Sequence, residues 1–200
     1  MPWDQRIASG FVEPFVRLGV TPNQVTAASL MLGLLGAALY GWGVGFAPHV
    51  GAAIFALSTV LDHADGQLAR RTGTSSRFGH YFDHVAGAIS YVGLFIGIGV
   101  GLRHGDLAGW AILMGAAAGI CVTGIFGMRM YMERRRPSGY LDQPSFAGFE
   151  IEDVLYLVVP ITWFGWLEPF LVVACIGAPV FAAWQILDYL RGRTAVERGE

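Results

Sequence analysis

The sequence predicts an all-α integral membrane protein: six transmembrane helices preceded by an amphipathic helix lying in the membrane interface. Three observations carry that prediction. Apolar residues make up 54% of the 200 residues and charged residues only 14%, about half the charge of an average soluble domain. That excludes a disordered chain and argues against an ordinary soluble one. Apolar stretches of about 20 residues, the length a bilayer crossing needs, recur along the chain. Glycine is abundant, at 28 residues and without a collagen period, as expected where helices pack closely in lipid. Six spans fill the chain, so residues 1–200 read as a single membrane domain with no room for a separate soluble one.

In residues 2–18, Trp3, Ile7, Phe11, Phe15 and Leu18 recur three or four apart. They form one apolar face of a helix whose other face is charged, the pattern of an interfacial helix. Pro14 is placed to kink or split it. Thr21-Pro22 reads as an N-cap followed by proline at the first helical position. The spans are expected at about 22–44, 47–71, 77–102, 108–133, 150–168 and 170–191. No small-residue cleavage site follows a short apolar core, so no cleavable signal is expected. Cys121 and Cys175 fall in apolar stretches, where a thiol packs as a small hydrophobe; no disulfide framework is indicated.

All 13 basic residues are arginine, and they orient the bundle. With the N-terminus inside, Arg6, Arg17, Arg70, Arg71, Arg77, Arg129, Arg134, Arg135, Arg136, Arg191, Arg193 and Arg198 fall on the cytoplasmic side and only Arg103 outside. This is a positive-inside distribution that an odd number of spans would spoil. Both termini and the region around Arg70 and Arg77 are therefore expected to face the cytoplasm. The net charge of −2 points to no nucleic-acid partner.

Gly93, Gly97 and Gly101 on span three, and Gly115 and Gly119 on span four, repeat every four residues. Such faces bring helix backbones together. Packing within one subunit and a homodimer interface are both open at this point.

The informative charges are acidic. Asp62 and Asp65 sit near the cytoplasmic end of span two, three residues apart and so on one helical face. Asp83 begins the next span, and a short turn at 72–76 lets it face the same pocket. An ionisable residue within a span is costly and marks a functional site by default. Three carboxylates without a basic residue among them repel one another, and a bound cation relieves that. Hard oxygen ligands suit Mg²⁺, Mn²⁺ or Ca²⁺ better than zinc. The bland alternative is solvated loop-end carboxylates paired with Arg70, Arg71 or Arg77.

The full string reads Asp62-x-x-Asp65-Gly66-x-x-Ala69-Arg70, eight residues, then Gly79-x-x-x-Asp83. It resembles the signature of the CDP-alcohol phosphotransferase family of integral membrane enzymes. The Thr21-Pro22-Asn23 entry to span one and the six-span layout are similar to the family too. The resemblance implies transfer of a substituted phosphate from a CDP-linked donor to an alcohol acceptor, with release of CMP, as in phospholipid biosynthesis. It implies Asp62, Asp65 and Asp83 as ligands of divalent metal, Mg²⁺ or Mn²⁺, usually described as two ions. Gly66, Ala69 and Gly79 would give the nucleotide close access, and Arg70 would stand near the phosphates or hold a carboxylate. It also implies a bacterial or archaeal plasma-membrane enzyme with a membrane-lipid partner and a homodimeric state.

The family pattern ends with a further aspartate, the proposed general base, four residues after Asp83. Here that position is Gly87. Three readings follow: a weak or inactive relative, a base supplied instead by His80 (which shares the face of Asp83, whereas His84 is turned by about 100°), or a non-catalytic protein that binds CDP-lipid or a partner on the same scaffold. His63 also points away from Asp62 and reads as a neighbour rather than a ligand. Arg129, deeper than the anchoring triplet 134–136, is a candidate for a phosphate on donor or acceptor. Glu150, Glu152 and Asp153 suit a helix N-terminus, and residues 137–149 form a polar loop near the pocket. The acceptor alcohol is left open.

Overall fold

A computed structural model describes residues 3–135 and 155–198, with side chains described over 7–128, at 131 and over 155–190. The described residues form seven helices and no strand: α1 (Trp3–Arg17), α2 (Pro22–Trp42), α3 (Ala47–Thr72), α4 (Arg77–Gly101), α5 (Trp110–Arg135), α6 (Val158–Trp163) and α7 (Leu167–Arg198). Four of them contain stretches long and apolar enough to cross a membrane: Pro22–Trp42, Arg77–Gly101, Trp110–Met128 and Leu167–Leu190. Their outer faces expose large apolar side chains such as Met31, Ile96, Leu113 and Val173, a surface suited to lipid rather than water. The chain is an integral membrane protein of helical class.

α3 has the length of a span, at 26 residues, but carries Asp62, Asp65, Arg70 and Arg71 in its last turns. The expected span at 150–168 differs most from what is seen. Its described part is a short turn at 155–157 followed by the six-residue α6, and 136–154 lie outside the described residues, with Arg136, the loop at 137–149, Glu150, Glu152 and Asp153 among them.

The helix ends follow local chemistry. Pro22 opens α2, where the Gln24 side chain accepts from the Thr21 backbone N–H at 2.9 Å. Gly73 ends α3 at φ 66°, a conformation glycine adopts without strain. The Ser76 hydroxyl then caps α4 by accepting from the Gly79 N–H at 2.9 Å.

α2 is the centre of the bundle. It packs along both α3 and α4, which barely meet each other directly; α5 packs on α4, and α7 on α5. The main core joins Tyr40, Phe55, Leu94, Phe95, Ile98, Val158 and Leu171. Glycines permit its close approaches. A Cβ at Gly97 or Gly101 would strike the backbone carbonyls of Ala37 or Tyr40 on α2, and one at Gly115 that of Phe95 on α4. The glycine stripes are therefore used for packing within this chain, and a homodimer would need another face.

α1 corrects the sequence expectation in detail. It runs unbroken through Pro14 and packs on α3. Its buried face is Ala8, Phe11, Val12 and Phe15, set against Val60, Ala64 and Leu68. Ile7 and Leu18, expected on the apolar face, are 49% and 76% exposed. The small side chains of Ala8 and Val12 allow α1 to sit close to α3, with Phe11 and Phe15 packed beside them. The side chain of Trp3 is outside the described set.

Candidate active site

Asp62 and Asp65 project from α3 and Asp83 from α4 toward one point: one carboxylate oxygen from each lies within 4.8 Å of the other two. Asp65 is 3% exposed, while Asp62 and Asp83 are half-buried. The short turn after Gly73 returns the chain so that α4 delivers Asp83 to the end of α3 holding the other two. Oxygens at this spacing fit around an ion with metal–oxygen distances of about 2.0–2.6 Å. Three like charges this close in low dielectric repel one another, a cost that a bound cation or a proton would relieve.

α2 contributes two groups that the sequence reading missed. The Thr26 hydroxyl meets Asp65 Oδ2 in a short, buried hydrogen bond and also lies 3.1 Å from the Pro22 carbonyl; its single proton goes to Asp65 when that carboxylate is ionised, and the Ser29 hydroxyl donates to Asp62 Oδ1 at 3.3 Å. Both hydroxyls are buried. The available signal was their spacing: residues 26 and 29 repeat on α2 the three-residue step of 62 and 65 on α3. Arg71, considered as a carboxylate partner, instead reaches Glu13 on α1 at 3.4 Å.

A cavity of about 530 Å³ opens beside the carboxylates. Asp65, Gly66, Ala69, Arg70, Gly79, His80 and Asp83 line it, together with Thr21, Pro22, Asn23, Thr26, Ser75 and Ser76. Asp62 is not on the cavity wall. At Gly66 a Cβ would meet only the Arg70 guanidinium, at 3.5 Å, so the space above it is cavity. At Gly79 a Cβ would stand 3.0 Å from Asn23 Oδ1 and 3.1 Å from Ser76 Oγ; glycine there lets the α2 and α4 N-termini close on one another.

Gly87 is not among the cavity-lining residues. Among the described residues, a Cβ built on it meets only the edge of the Tyr91 ring, at 3.8 Å, an ordinary contact. His80 and His84 pair through their Nε2 atoms at 3.2 Å. His63 Nδ1 lies 3.0 Å from the Thr59 carbonyl, one turn back on its own helix. Arg129 lies on α5, and its side chain is outside the described set.

Residues 19–187 match the sequence profile of the CDP-alcohol phosphatidyltransferase family. The chain belongs to that family. Among curated relatives, it is 37% identical over 84 residues to archaetidylinositol phosphate synthase of Pyrococcus horikoshii, covering 42% of this chain and 43% of that one. It is 32% identical over 119 residues to cholinephosphotransferase 1 of Xenopus laevis, covering 56% of this chain and 28% of that one. The chain thus matches less than half the length of either relative. Its fold is similar to the crystal structure of Mycobacterium tuberculosis phosphatidylinositol phosphate synthase with CDP-DAG bound, with a TM-score of 0.67 at 23% identity over 93% of this chain and 92% of that one. The same synthase is also known in complex with manganese and citrate, with a TM-score of 0.55 at 20% identity over 88% of each chain.

Proposed function

We propose that this chain is a metal-dependent CDP-alcohol phosphotransferase, moving a substituted phosphate from a CDP-linked donor to an alcohol acceptor and releasing CMP. The observation that carries this reading is the convergence of Asp62, Asp65 and Asp83 beside a cavity large enough for a nucleotide diphosphate head. Family membership supports it. In this reading the three aspartates hold Mg²⁺ or Mn²⁺, as one ion or two. Bound divalent metal would neutralise the pyrophosphate and stabilise the departing CMP phosphate. Gly66, Ala69 and Gly79 leave room for the nucleotide, and Arg70 on the cavity wall faces the phosphates. Arg129 is a further phosphate contact. The acceptor hydroxyl attacks in line from the cavity.

The membrane arrangement in this reading is one domain over 1–200, six spans with α1 at the interface, and both termini and the site on the cytoplasmic side of a bacterial or archaeal plasma membrane. The arginine distribution supports that orientation. The homodimeric state is tested by the mass of the detergent-solubilised protein.

Gly87 favours a second reading. A positioned proton acceptor contributes about 10²–10⁴-fold, and the chain lacks the family's aspartate for that role. Turnover is then slow, with His80 on the cavity wall as the replacement acceptor, or the chain binds CDP-lipid or a partner without turning over. CMP release from CDP-linked donors with Mg²⁺ or Mn²⁺, comparing the parent with Gly87→Asp and His80→Ala, decides between them. An active parent lost on His80→Ala supports the replacement. An inactive parent rescued by Gly87→Asp supports impairment by glycine. If neither protein releases CMP with any acceptor tried, the transferase reading fails.

A further inference from the structure

The pairing between α2 and α3 begins far from the cavity and ends at it. Gly36 of α2 and Gly51 of α3 face each other, a Cβ on either standing 2.9 Å from the carbonyl oxygen of the other; Gly51 also faces the Tyr40 backbone nitrogen at 3.4 Å and Gly36 faces Phe55 at 3.2 Å, while Gly33, nearest Ser90 of α4, faces the Ser58 hydroxyl at 3.4 Å. Next along the same seam Ser29 meets Asp62, and then Thr26 meets Asp65. Every step of three or four residues down α2 is matched by an equal step up α3, so one antiparallel register runs unbroken through all five pairs. Glycine fixes that register where the helices touch, and the last two pairs are hydroxyl to carboxylate.

From this register we infer that Thr26 and Ser29 are positioning residues for the metal-binding carboxylates, one hydroxyl for each aspartate of α3. The inference rests on the proposed reading that Asp62 and Asp65 hold divalent metal. A carboxylate has two oxygens, each able to accept more than one bond. A donor held on one oxygen fixes the rotation of the group and leaves the rest of its acceptor capacity directed at the ion. Thr26 is suited to this because its β-branched side chain is stiff and it is 2% exposed. Ser29, at 3.3 Å, holds its partner less tightly.

The test is direct Mn²⁺ binding to the detergent-solubilised full chain, read by paramagnetic resonance of free Mn²⁺, beside CMP release titrated with Mn²⁺. Removing a group that orients a metal ligand costs about 10–100-fold in metal affinity. Thr26→Val, which keeps the shape and removes the donor, is expected to weaken Mn²⁺ binding by about that factor, and Thr26→Ser to restore it. Ser29→Ala is expected to fall between Thr26→Val and the parent. In turnover the half-saturating Mn²⁺ concentration rises while the rate at saturating metal is largely recovered. Parental Mn²⁺ binding by Thr26→Val overturns the inference, as does equal loss in Thr26→Val and Thr26→Ser. Should Thr26→Val fail to fold, parental binding by Ser29→Ala overturns it instead. A parent that binds Mn²⁺ but releases no CMP overturns only the transferase reading, and a parent that binds no Mn²⁺ overturns both.

Discussion

The two ends of the bundle are built from the same helices by opposite means. At the end where α2 meets α4, Gly41 lies against Val100 and Gly43 against Gly101. Arg103 donates to the carbonyls of Val100 at 2.6 Å and Gly41 at 3.3 Å, tying off two helix ends. Nearby Thr162 spends its proton on the Val158 carbonyl, so Tyr40 donates to Thr162 at 2.6 Å. That end is closed. At the other end the chain keeps a cavity of about 530 Å³, with the Thr26–Asp65 pair on its wall and the Ser29–Asp62 pair behind it. One end is close backbone contact sealed by hydrogen bonds, and the other is hydroxyl–carboxylate pairing beside open space. Substitutions at the closed end should therefore move stability, and those at the cavity end metal binding and turnover.

The largest effect expected is from Asp65→Asn. If Asp65 holds metal as proposed, replacing its carboxylate by a neutral, weaker amide ligand removes several kcal/mol of transition-state stabilisation, about a thousand-fold in CMP release. Because it also removes one of three clustered like charges, the metal-free melting temperature in detergent should not fall. A large drop in melting temperature would break the comparison. Gly87→Asp is expected to raise CMP release by about 100-fold or more, since a Cβ at that position makes only an ordinary contact with Tyr91. Unchanged turnover would show that proton removal is handled elsewhere. Gly97→Leu, at the closed end, should destabilise by about 1–3 kcal/mol through overpacking against Ala37, read as a lower melting temperature with Mn²⁺ affinity per folded molecule unchanged. Tyr40→Phe should cost about 1 kcal/mol, the net worth of its hydrogen bond, again without altering Mn²⁺ affinity. If either closed-end substitution weakens Mn²⁺ binding, the two ends are coupled through α2.

The long apolar helices were readable because their limits are chemical. Pro22, Gly43, Gly73 and Ser76 each sit where the sequence changes character, and α2, α3 and α4 begin or end within two residues of expectation. On α1 Phe11 and Phe15 were found from their spacing, whereas Ala8 and Val12 were passed over because small side chains add little to an apolar periodicity although close packing favours them. The partner of the Gly93, Gly97 and Gly101 stripe was not readable at all: a glycine face says that a backbone approaches, not which one. At the site, the carboxylates could be found as ionisable residues within spans, and the glycines around them from the resemblance of the full string to the family signature. Thr26 and Ser29 were passed over because single hydroxyls in an apolar span are commonplace, and their meaning depends on the register with α3, which only the packed helices define.

The position of Pro22 has a consequence for the shape of the site. α2 separates α3 from α4 along most of their length, and at its first turn Asn23 stands against Gly79 near the start of α4. Thr21, Pro22 and Asn23 stand on the wall of the cavity beside the end of α3 and the start of α4. The residues that start the central helix therefore also bound the space a ligand would fill, so a change in where α2 begins would change the size of the pocket.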